Sequence, residues 1–335
     1  MQRQIAIVLL RFLVAAASAL LATSASADGR SAAHNLFTNL ARSKATLSVT
    51  EANALVAPTL VRGFYSLSTQ AGKFVGFVNE SGTLFGDSRG FMVVSTSGAA
   101  PRPLALDEQA DLRSEVMAAI DYDRLVRVRF GDGGGRKIVV FSAVDCPVCK
   151  QFEGAIRSTP GLNTTLYVVP STLQPISGGG WAPRQIAVRI WCSDDRTAAW
   201  EDYWTKRQLP PNPASTCQWT PQTSEAAGQY LEDILRASGA RMPGFPHSFA
   251  EDGSSIPLRF NDAHFMVSSY GREGLPQPAG AGHTSRWLVS QADVAPQPVL
   301  EAAAVAPAAP APPKVASTTS RINLGQLIGN ALSSH

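Results

Sequence analysis

The stretch KIVVFSAVDCPVCKQFEGAI, Lys137 to Ile156, restricts the fold more than any other part of the chain. Ile138 to Val144 is a short apolar, β-branched run that reads as a buried strand. A one-residue hinge at Asp145 follows, then Cys146-Pro147-Val148-Cys149 opens a helix over Pro147 to Ser158. Pro147 suits the first helical turn, where no backbone N–H is needed. Cys146 therefore falls at a helix N-terminus, where unpaired N–H groups and the macrodipole favour negative charge. A thiol placed there gains thiolate character. Cys149 lies one turn deeper, within reach of a disulfide and more shielded. Phe152 and Ile156 continue the buried face, and Lys150 and Glu153 are expected to face water. Cys146 is the expected nucleophile and Cys149 the resolving thiol of a redox pair.

Two other uses of a CxxC compete. A zinc site calls for a second CxxC or a histidine pair at ligand spacing. Cys192 and Cys217 are far apart, and His34, His247, His264, His283 and His335 are scattered, so no metal is expected. A loop as short as that between Cys146 and Cys149 restrains the unfolded chain little, so it makes a poor staple. Cys192 and Cys217 have the opposite character. Joined, they close a loop carrying Trp200, Tyr203 and Trp204, worth about 3–4 kcal/mol in the chain-entropy model. They are read as a structural disulfide. Gly131, Gly133, Gly134 and Gly135 precede a strand with no following Lys-Ser/Thr, so they read as a hairpin turn and not as a phosphate loop.

The cysteine reading depends on compartment. The chain opens MQRQIAIVLLRFLVAAASALLATSASA, an apolar run broken by Arg11 and ended by Ala25-Ser26-Ala27. That is the layout of a signal peptide cleaved after Ala27, and periplasmic export is expected. No later run is long and apolar enough to span a bilayer. Without residues 1–27 the formal charge falls from +3 to +1, a balance that points away from nucleic acid as partner.

Residues 28–103 begin with a short amphipathic helix, Asp28 to Ser43. Strands follow at Phe64–Leu67, Phe74–Val78, Thr83–Phe85 and Phe91–Val94, punctuated by glycine turns. Such a small antiparallel sheet is marginal alone, and its edge invites pairing with a second copy. Residues 104–124 read as a linker helix with Leu112, Val116, Ala119 and Ile120 on one face. Residues 125–275 hold strands at Leu125–Phe130, Ile138–Val144, Leu166–Val169, Pro246–Ala250 and Ile256–Phe260. A helix-rich interruption falls at about 171–240. Residues 276–335 form an Ala/Pro-rich linker and a short terminal helix with Leu324, Leu327, Ile328, Ala331 and Leu332 on one side.

In this order, the export signal, the sheet segment GFYSLSTQAGKFVGFVNESGTLFGD, the linker helix, VVFSAVDCPVCKQFE and RQIAVRIWCSDDRTAAWEDYW resemble the periplasmic disulfide isomerases of the DsbC/DsbG type. The match runs from about Leu36 to Phe260 and leaves out the Ala/Pro tail. The resemblance implies an α+β/α/β chain: a thioredoxin-like domain with a helical insertion, preceded by a small cystatin-like dimerisation domain. It implies a homodimer with two CxxC sites facing a cleft, no cofactor, a membrane thiol reductant of the DsbD type, and unfolded or misoxidised secreted proteins as substrates. It also implies a cis-proline loop beside Pro147 and Val148. Phe245-Pro246 is the first candidate for that loop and Met242-Pro243 the reserve. Phe245 stands where the family more often has a small or β-branched residue. His247, next along, either touches Cys146 or, as preferred, is a strand histidine with its polar edge in solvent. The Ala/Pro tail has no counterpart in such an isomerase, and suggests an alternative role as a subunit of an envelope assembly.

Overall fold

The computed structural model describes residues 29–133, 136–173, 181–210, 225–271, 286–288 and 322–323. The leader, Cys217 and the terminal helix expected around Leu324 lie outside the described residues.

Residues 29–42 form helix α1, followed by the two-residue strand β1 (Ala45–Thr46). Strands β2 (Ala54–Pro58), β3 (Phe64–Thr69), β4 (Phe74–Asn79), β5 (Leu84–Asp87), β6 (Gly90–Val93) and β7 (Arg102–Pro103) then form a six-stranded antiparallel sheet in sequence order. Ala32, Ala33, Leu36 and Leu40 of α1 pack on Tyr65, Leu67, Val78, Phe85 and Met92 from one face of it. The turn at Gly82 fits beneath α1 only as glycine. Its φ is +65°, and a Cβ there would meet the Leu36 nitrogen at 2.3 Å. The sequence reading found β3 to β6 and missed the edges, because β2 ends in Pro58 and β7 has two residues.

Helix α2 (Leu106–Ala119) leads to β8 (Val126–Phe130), β9 (Arg136–Ala143), α3 (Pro147–Ser158) and β10 (Thr164–Ser171). Helices α4 (Trp181–Trp191), α5 (Arg196–Glu201) with a π-helical turn at Asp202–Lys206, and α6 (Glu225–Ala237) come next. Strands β11 (His247–Phe249) and β12 (Ser255–Ile256) and helix α7 (Ala263–Tyr270) complete the unit. The expected strand Ile256–Phe260 shrinks to the pair Ser255–Ile256. A further strand, β13 (Ile322–Asn323), pairs in parallel with β1.

The second sheet has the order β12-β11-β9-β10-β8. Strands β9 and β10 are parallel and joined through α3, whereas β8 runs antiparallel to β10. The glycine turn between β8 and β9 is therefore not a hairpin, contrary to expectation. Every residue of β9 except Lys137 is buried, so β9 takes the centre, while β8 alternates buried and exposed and takes an edge. This mixed α/β arrangement is compatible with a thioredoxin-like fold.

Alternation along β9 divides the core. Ile138 and Val140 join Phe152 and Ile156 of α3, Trp200 of α5 and Tyr270 of α7. Val139 and Phe141 point the other way, into a cluster shared with α2, α6 and the first sheet's Phe64, Phe77, Leu84 and Phe91. Tyr230 of α6 lies 5.2 Å from the Phe74 ring and 5.3 Å from the Phe77 ring.

Candidate active site

The CxxC sits where the central strand β9 gives way to α3. The turn between them is tied to the end of β10: Asp145 accepts from the Leu173 N–H at 2.8 Å and the Thr172 hydroxyl at 3.1 Å. The Tyr203 hydroxyl donates to the Val144 carbonyl at 3.0 Å. Extended backbone at Cys146 lets its side chain cap the helix, with Pro147 in the first turn as expected. The Cys149 N–H donates to Cys146 Sγ at 3.2 Å, which aims the helix's unpaired donors at this sulfur.

Both cysteines are free thiols. Cys149 is fully buried and Cys146 is 5 % exposed, while Pro147 and Val148 between them stand open to solvent. The peptide bond Phe245–Pro246 is cis, and Met242–Pro243 is not. That loop reaches the site, since the Cys146 thiol points at the Phe245 carbonyl at 3.5 Å and Phe245 packs on Ala143, Cys146 and Cys149. Pro147, Val148, Phe245 and Pro246 thus come together around Cys146.

Burial pushes the Cys149 thiol well above its ordinary pKa, and its contact with Cys146 adds to this. The Ala143 N–H, at 3.4 Å from Cys149 Sγ, and the Ser142 hydroxyl oppose the shift. Ser142 is fully buried. Cys149 is therefore held as a protonated thiol behind Cys146. Sequence reasoning did not single out Ser142 or Tyr203. A polar residue inside the apolar run of β9 was the available signal for the first, and the second had none.

Two expectations fail here. Glu153 does not face water: it is 3 % exposed, beneath α5 and Trp200, and pairs with Arg157 at 3.0 Å. Arg157 in turn pairs with Glu201. Burial pushes the Glu153 carboxyl up to about 7 despite Arg157. His247 does not keep a polar edge in solvent. It is buried and stacked between Phe141 at 4.7 Å and Phe245 at 5.5 Å, with Nδ1 2.8 Å from the Gly244 carbonyl. Burial lowers its pKa to about 4, so near neutral pH the ring is uncharged. Its stack on Phe245 connects it to the cysteines.

Cys192, at the end of α4, is disulfide-bonded, while Cys217 lies outside the described residues. Among the described residues no three His, Cys, Asp or Glu side chains gather as a metal site. Two free thiols one helical turn apart, one capping a helix and one buried behind it, can close a disulfide and reopen it.

No protein-family model matches the chain, and no curated protein matches it. Among solved structures it is similar to a disulfide interchange protein from Neisseria gonorrhoeae, at 23 % identity and a TM-score of 0.33, over 46 % of this chain and all of that one. It is also similar to Proteus mirabilis ScsC in a compact conformation, at 18 % identity and a TM-score of 0.31, over 48 % of this chain and 84 % of that one. Overlaps of this size leave the fold resting on the strand order and the placement of the CxxC.

Proposed function

We propose that this chain is a thiol–disulfide oxidoreductase that acts on exported proteins through Cys146 and Cys149, with isomerisation of wrong disulfides as its main task. The observation that carries the reading is the pairing of a helix-capping thiol, Cys146, with a protonated and fully buried one, Cys149. The Cys146 thiolate attacks one sulfur of a substrate disulfide. A Cys146–substrate disulfide forms, and the other substrate sulfur leaves as a thiolate that takes a proton from water. If a different substrate thiolate then attacks the mixed disulfide, Cys146 is released unchanged and the substrate is rearranged. If Cys149 attacks instead, it loses its proton, the Cys146–Cys149 disulfide forms, and the substrate gains two electrons. The high pKa of Cys149 slows the second route and leaves time for the first.

The reduced state requires a thiol donor, for which a membrane reductant of the DsbD type is proposed. Periplasmic location, with cleavage after Ala27, is proposed from the leader-like opening. Dimerisation through the first sheet is proposed from its edge strands, and Cys217 is proposed as the partner of Cys192, the other two cysteines being free. The Ala/Pro tail favours a second reading, attachment to an envelope assembly, which is compatible with the same chemistry.

The test is recovery of activity from a scrambled-disulfide protein in glutathione buffer, with the parent, Cys146→Ser and Cys149→Ser. Recovery is expected with the parent, none above background with Cys146→Ser, and accumulated mixed disulfide with Cys149→Ser. Equal behaviour of parent and Cys146→Ser ends the reading.

A further inference from the structure

Residues Arg286, Trp287 and Leu288 are gripped by two parts of the molecule, neither of which includes the cysteines. The Glu115 carboxylate of α2 accepts three successive backbone N–H groups, from Arg286 at 2.9 Å and from Trp287 and Leu288 at 3.0 Å each. Asn79, fully buried at the end of β4, donates its amide to the Trp287 carbonyl at 2.8 Å. Its oxygen is held by the Thr83 and Leu84 N–H groups, so the amide orientation is set before the segment arrives. The Trp287 and Leu288 side chains are 6 % and 5 % exposed in the shared core cluster. Arg286 pairs with Glu108 at 2.6 Å and lies 4.6 Å from the Trp287 ring centre.

Each element of this grip reads a different property. Glu115 and Asn79 read backbone, the apolar wall takes an aromatic and an aliphatic side chain, and Glu108 takes a cation. Glu108 is itself steadied by Arg102 at 2.7 Å and by the Ala105 N–H at 2.9 Å. Hydrogen bonds to a charged carboxylate are the strong kind. Tryptophan and arginine are the residues that most often anchor recognition surfaces. We propose that this is a peptide-binding site for a basic–aromatic–aliphatic segment, filled in cis by residues 286–288, and that filling it latches the first sheet to α2. The ligand class is a short peptide of the form Arg-Trp-Leu, bent so that three successive N–H groups reach one carboxylate. The proposal stands apart from the redox reading, since none of its residues touches the cysteines.

The test empties the site in the full chain with Trp287→Ala and Leu288→Ala together. A fluorescent peptide with the sequence of residues 283–291 is then titrated against this variant and the parent by anisotropy. The emptied chain is expected to bind at least about tenfold more tightly than the parent, whose site is filled, a difference of about 1.4 kcal/mol. Adding Glu115→Gln to the emptied chain should weaken binding by a similar factor. Equal binding to parent and emptied chain, or none to the emptied chain, overturns the proposal. Should the double variant fail to fold, amide exchange of residues 286–288 in the parent and in Glu115→Gln decides. Protection in the parent that falls at least about tenfold in the variant supports the site, and exchange at free-peptide rates in the parent overturns it.

Discussion

The two sheets are built on opposite plans. In the first, every strand lies beside its neighbour in sequence, β2 to β7 in order, and each turn closes a hairpin. In the second, β9 sits between β10 and β11, and its partners come from up to about a hundred residues away. A meander of hairpins leaves no place where the chain order reverses. The second sheet has one, and the two thiols and the Phe245–Pro246 loop converge there because β9 and β11 are adjacent in space and distant in sequence. The local sheet presents a surface, and the non-local sheet gathers chemistry.

The sheets also differ in how they are cored. The α3 side of the second sheet has a cluster of its own, and Phe152 is a fully buried member of it, 5.8 Å from the Tyr270 ring. Phe152→Ala should have the largest effect, about 3–5 kcal/mol of lost stability in urea denaturation. It should also slow mixed-disulfide formation, because α3 would no longer be held firmly under Cys146. A loss below about 1 kcal/mol would mean that α3 is not seated on this core.

How much of this could be read from the sequence follows the same division. Strands β3 to β6 were legible because their alternation and glycine turns are local signals. Strand β9, α3 and the positions of Cys146 and Pro147 at its start were legible for the same reason: each depends on neighbours within a few residues. The glycine turn after β8 misled, because nothing within it says that β10 will come between the strands. Glu153 misled similarly. Its helix position says only which face it occupies, and whether that face meets water was decided by Trp200 and Glu201, more than forty residues on. His247 followed suit once Phe141 and Phe245 closed over it. Local sequence sets the element; distant packing sets the environment, and with it the charge state.

The other face of the second sheet shares its core with the first, and Tyr230 is the aromatic that joins them. Tyr230→Ala removes two ring contacts and the burial that goes with them, an expected cost of about 2 kcal/mol. The more telling readout is cooperativity. The parent should unfold in one transition by near- and far-ultraviolet circular dichroism, and the variant in two, with the first sheet melting earlier. A single unshifted transition in Tyr230→Ala would show that the sheets are coupled by something other than this contact.

Glu153→Gln tests whether the private core carries a pH dependence of its own. The Glu153 carboxyl is raised from 4.5 to about 7, mainly by burial. The folded chain therefore holds this proton more tightly than the unfolded one. Stability from this group is fully present below about pH 4.5 and is lost as pH rises toward 7, by roughly 1–3 kcal/mol in total. Glutamine keeps the size and one acceptor oxygen, and cannot ionise. Across that window the parent should lose stability relative to Glu153→Gln, and the difference should level off above pH 7. Parallel stability curves for the two proteins between pH 4.5 and 7 would mean that Arg157 holds Glu153 charged throughout, with its ion pair outweighing burial.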